Sequence, residues 1–222
     1  MTVEAKICGI STVEALDAAI DGGARYVGFV SYPKSPRHVE PPLAQRLAAH
    51  ARTRSNSIKV VALVVDPDDR ALHKLNESVK PNIIQLHGSE TPDRAGVIAA
   101  ITGRAIWKAI SVKTRVGVAS AEAYLRPGCA DLILFDAKPP DELSALPGGN
   151  GLAFDWTMLD AWPTSRPFVL AGGLTPENVG AAIRLTGASI VDVSSGVERG
   201  PGVKDPELIR RFLEAVKTAK QT

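Results

Sequence analysis

A single (βα)8 barrel, the TIM-barrel class of α/β fold, is what this sequence predicts, and three observations predict it. Short apolar or β-branched runs alternate with segments that carry apolar residues at three- and four-residue spacing, eight of each, at a repeat of about 25 residues. The runs lack clean in–out alternation, as expected of parallel strands covered on both faces. The last two runs end in small or hydroxylated residues, Ala171-Gly172-Gly173 and Ser194-Ser195-Gly196. Such strand ends present backbone N–H groups that can hold a phosphate. The loops after strands seven and eight are where a barrel of this class commonly does so, so the C-terminal rim is expected to bind phosphate.

The elements follow in order. Residues 5–10 form the first strand, and Ser11-Thr12 followed by Glu14 caps a helix over 12–21. Residues 26–30 form the second strand, a loop stiffened by Pro33 and Pro36 follows, and a helix covers 42–52. The third and fourth strands, 58–65 and 82–86, precede helices over 67–79 and 91–101. The fifth, 105–110, precedes a helix over 114–125. After the sixth strand, 131–135, comes the one long irregular stretch, AKPPDELSALPGGNG over 137–151. Its prolines and glycines oppose a helix, and an irregular loop of this length in a compact domain is usually functional. A short helix spans 155–160, and the seventh strand spans 168–170. Thr175-Pro176-Glu177 opens a helix over 176–185, residues 190–193 form the eighth strand, and Asp205-Pro206-Glu207 opens a last helix over 206–219. The 222 residues make one domain with little room for insertions. A doubly wound open sheet would more naturally show GxGxxG after the first strand, and that pattern is absent.

The composition excludes several classes of function. Net charge is +2 with the basic residues dispersed, which argues against nucleic-acid binding. No apolar stretch reaches the ~18 residues of a membrane span. The N-terminus MTVEAKICGI lacks the apolar core of a signal peptide, so a cytoplasmic chain is expected. Its two distant cysteines then read as free thiols. Four scattered histidines and two cysteines lack the close ligand pairs of a metal site.

In such a barrel chemistry sits where strands end. Cys8 ends the first strand beside Gly9; as a thiolate in an electropositive pocket it could serve as a base, and as a thiol it could be a small core residue. Cys129 precedes the sixth strand at the opposite end and reads as structural. The loop after the second strand carries Lys34 and Arg37, a solvated basic loop or a carboxylate grip through the forked guanidinium of Arg37. His87 ends the fourth strand, where Gly88 lets the backbone turn sharply and leaves the ring at the rim. Asp136 ends the sixth strand as a general acid or base, or as a loop aspartate paired with Lys138. Asp192 lies inside the eighth strand, where a charge needs a partner or a ligand, and Glu198 and Arg199 follow. A thiol, a carboxylate, an arginine and a phosphate site suit proton shuttling on a phosphorylated small molecule that carries a carboxylate.

The motifs KICG (6–9), GFVSYPKSPRHV (28–39), IIQLHGSE (83–90), LILFDAKPP (132–140), GGNGLAFDW (148–156), VLAGGLTPENV (169–179) and VDVSSGVERGPGVKD (191–205) resemble, in order, the phosphoribosylanthranilate isomerases of tryptophan biosynthesis. The resemblance implies a cofactor-independent barrel that converts N-(5'-phosphoribosyl)anthranilate to the ring-opened 1-deoxyribulose phosphate by an Amadori rearrangement. It implies Cys8 as general base, Asp136 as general acid and Arg37 on the anthranilate carboxylate. It places His87 and Asp192 by the sugar or amine, and Gly149, Gly151, Gly172, Gly173, Ser194, Ser195 and Gly196 around the phosphate. Ser31 stands where the family often has an aromatic residue, Ala137 where a hydroxyl is common, and Asn150 and Leu152 where many members have threonine and a basic residue. The expected partner is the small phosphorylated substrate, with no nucleic acid or membrane, and the expected state is a monomer or weak homodimer. One rival is an isomerase of histidine biosynthesis, which would need a second phosphate half-site and an aspartate in place of Cys8. Another is a non-catalytic phosphosugar-binding barrel, which has no use for Cys8 and Asp136 together.

Overall fold

The computed structural model describes residues 3–137, 153–163 and 165–219. Eight parallel strands close on themselves: β1 (Glu4–Cys8), β2 (Tyr26–Ser31), β3 (Lys59–Val64), β4 (Ile83–Leu86), β5 (Ala105–Val112), β6 (Leu132–Ala137), β7 (Val169–Leu170) and β8 (Ile190–Val193) pair in sequence order, and β1 also pairs with β8. The closing register sets Lys6 against Asp192. Helices α1 (Val13–Asp21), α2 (Pro41–Arg54), α3 (Asp69–Val79), α4 (Pro92–Thr102), α5 (Arg115–Ser120), α6 (Val179–Thr186) and α7 (Pro206–Thr218) lie between and after the strands. The expected barrel and all eight strands are present, with ends within two residues of the sequence reading.

Local chemistry explains the helix starts. The Thr12, Thr91 and Thr114 side chains accept N–H groups in the first turns of α1, α4 and α5, and Asp205 accepts two in α7. Three segments differ from the reading. The stretch over 114–125 is a short α5 that tightens into a 3-10 turn at Ala121–Leu125, and Trp156–Ala161 is also a 3-10 turn. The helix expected from 176 starts at Val179, because Asn178 accepts the Thr175 N–H (2.8 Å) and donates to the Gly173 carbonyl (2.9 Å). That side chain ties the start of α6 to the loop after β7.

Strand parity separates two cores. Ala5 and Ile7 of β1 face the helices and join the large outer core. Inside the barrel, Val61, Ile83, Trp107, Ala109, Leu134, Val169, Ala171 and Ile190 form a smaller cluster. Tyr26 packs edge-on against Trp107 at 4.9 Å and donates to Glu4 at 2.7 Å. Above this apolar plug the interior turns polar: Lys6, Gln85, Asp136 and Asp192 are all buried there or at the mouth. Buried polar groups of that density need partners or a ligand.

A short antiparallel hairpin follows β8: β9 (Glu198–Gly200) and β10 (Val203–Lys204). Gly202, at φ +78°, leaves no room for a Cβ against the Pro36 carbonyl, so the hairpin seats closely on the loop after β2.

Candidate active site

Cys8 and Asp136 end β1 and β6, buried at one mouth of the barrel. The Cys8 carbonyl accepts from Ser194 Oγ at 3.3 Å, which joins β1 to the loop after β8. Burial pushes the thiol above its ordinary value, and Lys6 pulls it back most strongly. Lys6 and Lys204 favour the thiolate, while burial and the Asp192 carboxylate together outweigh them.

Asp136 is held at both oxygens. Oδ1 accepts the Ala137 N–H at 2.8 Å, and Oδ2 lies 3.1 Å from His87 Nε2. Gln85 Nε2 donates to His87 Nδ1 at 3.0 Å, which leaves the ring proton on Nε2, facing the carboxylate. Lys138, the alternative partner for Asp136, lies outside the described residues. His87 stands at the rim as expected, but the glycine after it serves another end. Gly88 has no positive φ; a Cβ there would meet the Asp66 carboxylate at 2.6 Å. Its N–H and carbonyl are taken by Glu90 (3.0 Å) and Lys108 (2.6 Å), themselves a buried ion pair at 2.8 Å that lies outside the barrel wall.

Lys34 and Arg37 part company. Lys34 is exposed, whereas Arg37 is buried and gives Nε and Nη2 to the two oxygens of Glu198 at 2.7 and 2.9 Å. Its stem packs on Gly9, where a Cβ would come within 2.9 Å of Arg37 Cδ, so the guanidinium is fixed one residue beyond Cys8. Glu198 also takes Lys204 Nζ at 2.6 Å, and Lys204 in turn donates to the Ser194 carbonyl at 2.8 Å. The two cations hold the Glu198 carboxyl below its ordinary value against the cost of burial.

The loops after β7 and β8 touch. Gly196 lies against the Leu174 carbonyl with no space for a Cβ, and Gly172, at φ +84°, likewise leaves no room for one against Ala137 N. Among the described residues no protein acceptor takes the N–H groups of Gly172, Gly173 or Gly196. Ser195 and Gly196 open a 3-10 turn, while the Ser194 hydroxyl is engaged by Cys8 and Lys204. Gly149 and Gly151 lie outside the described residues. Asp192 has its partner: Oδ2 accepts from Lys6 Nζ at 2.8 Å, and Oδ1 is buried without one. Burial opposes the Lys6 ammonium, but Asp192 and Cys8 outweigh it and hold Lys6 above its ordinary value.

Sequence reasoning missed Lys6, Gln85 and Lys204, and left Glu198 without a role. Strand parity carried a signal for the first two, since Lys6 and Gln85 sit two residues before Cys8 and His87 and therefore face the same interior. Cys129 is half-buried beside Gly96, consistent with a structural residue.

Comparison with known proteins gives the same picture. Residues 5–215 match the family model described as N-(5'phosphoribosyl)anthranilate (PRA) isomerase. The chain is 51% identical over 215 residues to an N-(5'-phosphoribosyl)anthranilate isomerase of Caulobacter sp. (strain K31), covering 97% of this chain and 99% of that one. The fold superposes on the crystal structure of phosphoribosyl anthranilate isomerase from Thermotoga maritima with a TM-score of 0.84 at 33% identity, covering 98% of this chain and 100% of that one. A second crystal structure of the enzyme, in complex with reduced 1-(o-carboxyphenylamino)-1-deoxyribulose 5-phosphate, matches with a TM-score of 0.81 at 32% identity over 98% and 100% of the two chains. Taken with the thiol, carboxylate and twin loops at one barrel mouth, these matches show that the chain belongs to the N-(5'-phosphoribosyl)anthranilate isomerase family.

Proposed function

We propose that this chain isomerises N-(5'-phosphoribosyl)anthranilate by an Amadori rearrangement, with Asp136 as general acid and Cys8 as general base. The observation that carries the reading is the single mouth shared by a buried thiol on β1, a carboxylate on β6 and a pair of glycine-rich loops with uncommitted N–H groups. The loops after β7 and β8 hold the 5'-phosphate through backbone N–H groups, with Gly149 and Gly151 assigned to the same grip. Arg37, held by Glu198 through two parallel hydrogen bonds, is the grip for the anthranilate carboxylate at the other end.

Between these anchors the chemistry runs in three steps. Asp136 gives a proton to the furanose ring oxygen; the C1'–O bond breaks as the nitrogen lone pair forms a protonated Schiff base. The Cys8 thiolate removes the C2' proton, and the C–H electrons flow to the iminium to give an enolamine. Proton loss from the C2' hydroxyl and proton gain at C1' yield the ketone and restore both groups. His87 keeps its Nε2–H on Asp136 and so orients the acid toward the sugar. Positioned acid–base groups contribute about 10²–10⁴-fold each.

The test follows conversion of N-(5'-phosphoribosyl)anthranilate by pure protein. Cys8→Ala and Asp136→Asn should each lower kcat by about 10² or more, with substrate binding within a few-fold. Full activity in either variant removes that residue from the mechanism. We read the chain as a monomer or weak homodimer, since among the described residues the exposed large apolar ones, Val13, Val97, Val116, Leu185 and Val203, are spread over five elements. Analytical ultracentrifugation decides it; a tight dimer would refute it.

A further inference from the structure

Lys6 has no part in the steps above, yet it is 0% exposed directly beneath them. A lysine goes fully inside only with partners. Its Nζ lies 2.8 Å from Asp192 Oδ2, and two residues further along β1 Cys8 faces the same interior. A Cβ added at Gly28 would sit 3.1 Å from both Lys6 Cε and Cys8 Sγ, so the lysine stem and the sulfur crowd one point on β2. Gly28 is the only residue type that leaves this point clear.

We propose that Lys6 is a positioning residue for Cys8: one buried ammonium is divided between the Asp192 carboxylate and the Cys8 sulfur, and that division sets how readily the sulfur carries negative charge. The proposal rests on the reading of Cys8 as the base. The charges that face the sulfur are Lys6 from its own strand, Asp192 from β8 and Lys204 from β10. Asp136 on β6 and His87 after β4 act in turn on Asp192, and Arg37 packs its stem on Gly9, the residue after Cys8. Burial pushes the thiol up and Asp192 pushes it further, while Lys6 is the strongest opposing charge. Asp192 therefore competes with the sulfur for the same cation. Removing Asp192 should release Lys6 to the sulfur; removing both should leave the sulfur buried without its strongest opposing charge.

The experiment uses the full chain in a Cys129→Ser background, so that Cys8 is the sole thiol. Alkylation by iodoacetamide, in which the Sγ–C bond forms and iodide leaves, is timed across pH. Asp192→Asn should lower the pH midpoint of the rate. Lys6→Met with Asp192→Asn should raise it above Asp192→Asn by about one unit or more, the range for an opposite charge at this separation. A midpoint in the double variant at or below that of Asp192→Asn overturns the proposal. If circular dichroism shows the double variant unfolded, the Lys6 Nζ NMR resonance decides instead. It should step at the thiol midpoint in the unsubstituted chain and not in Cys8→Ala; no step in the unsubstituted chain overturns the proposal. Failure of the underlying reading is separable. Full turnover by Cys8→Ala would take Cys8 out of the reaction without altering the alkylation profile or the Lys6 resonance.

Discussion

Gly196→Ala tests the phosphate cradle most directly. A Cβ at this position falls on the Leu174 carbonyl, and both partners are backbone, so no side chain can swing aside. Real Cβ contacts stay beyond about 3 Å, so the loop after β8 must retreat by about 1 Å from the loop after β7. Misplacing a positioned group by that much can cost about 10²-fold, or about 2.7 kcal/mol of transition-state binding. The phosphate is gripped equally in ground and transition states, so the loss should appear in KM rather than kcat. Stability should fall by about 1–3 kcal/mol, the ordinary cost of overpacking, and a domain of this size would lose several degrees of Tm. Gly200→Ala is the control: a Cβ there meets nothing within 4 Å, at a backbone angle any residue adopts. It should leave KM unchanged and stability within about 0.5 kcal/mol. The assay is steady-state conversion of N-(5'-phosphoribosyl)anthranilate, together with inhibition by inorganic phosphate. If folded Gly196→Ala keeps the parental KM and phosphate inhibition constant, the two loops do not form the cradle.

Glu198→Gln should release Arg37 and leave Lys204 short of its anion; KM should rise several-fold, and Tm should fall with the ~3–5 kcal/mol cost of breaking a buried charge pair. Unchanged KM would show that Glu198 does not steady the carboxylate grip. Lys108→Met should destabilise the fold by a similar ~3–5 kcal/mol, whereas Lys108→Met with Glu90→Leu should recover part of it, because the uncompensated buried charge is gone while the Gly88 and Asp66 N–H groups still lose their acceptor; equal Tm for single and double variants would refute that account. The pH dependence has two opposed arms. Burial raises the Cys8 thiol, so thiolate accumulates only above the ordinary thiol range, and the rate of Cys8 alkylation should climb with pH through the raised midpoint. A group raised on folding stabilises the fold fully below its unfolded value and ceases to as pH passes the folded one, so Tm should decline over the same window. Cys8→Ala should flatten that decline, and an identical alkaline Tm profile in the variant would exclude Cys8 as its source.

How much of this was legible depends on the range of the interaction involved. Threonine and aspartate caps act over three residues, and their helices began where the sequence placed them. The α6 start was misplaced because Asn178 reaches back to Gly173 and Thr175, a contact that propensity does not record. Cys8, Asp136 and His87 were readable because strand ends in a parallel barrel share one rim. Gly88 was recognised as necessary for the wrong reason, since the obstacle is the Asp66 carboxylate rather than a backbone angle.

By itself the sequence determined the alternation of eight strands and helices, the residues at each strand end and the side of each strand they face, all set by local periodicity and caps. Only the closed barrel decided the partners. Lys6 meets Asp192 across 186 residues and Arg37 meets Glu198 across 161, because closure brings β8 beside β1 and seats the β9–β10 hairpin on the loop after β2. The physical reason is that a buried charge must be matched in space, and the matching group is chosen by strand register rather than by neighbours in the chain.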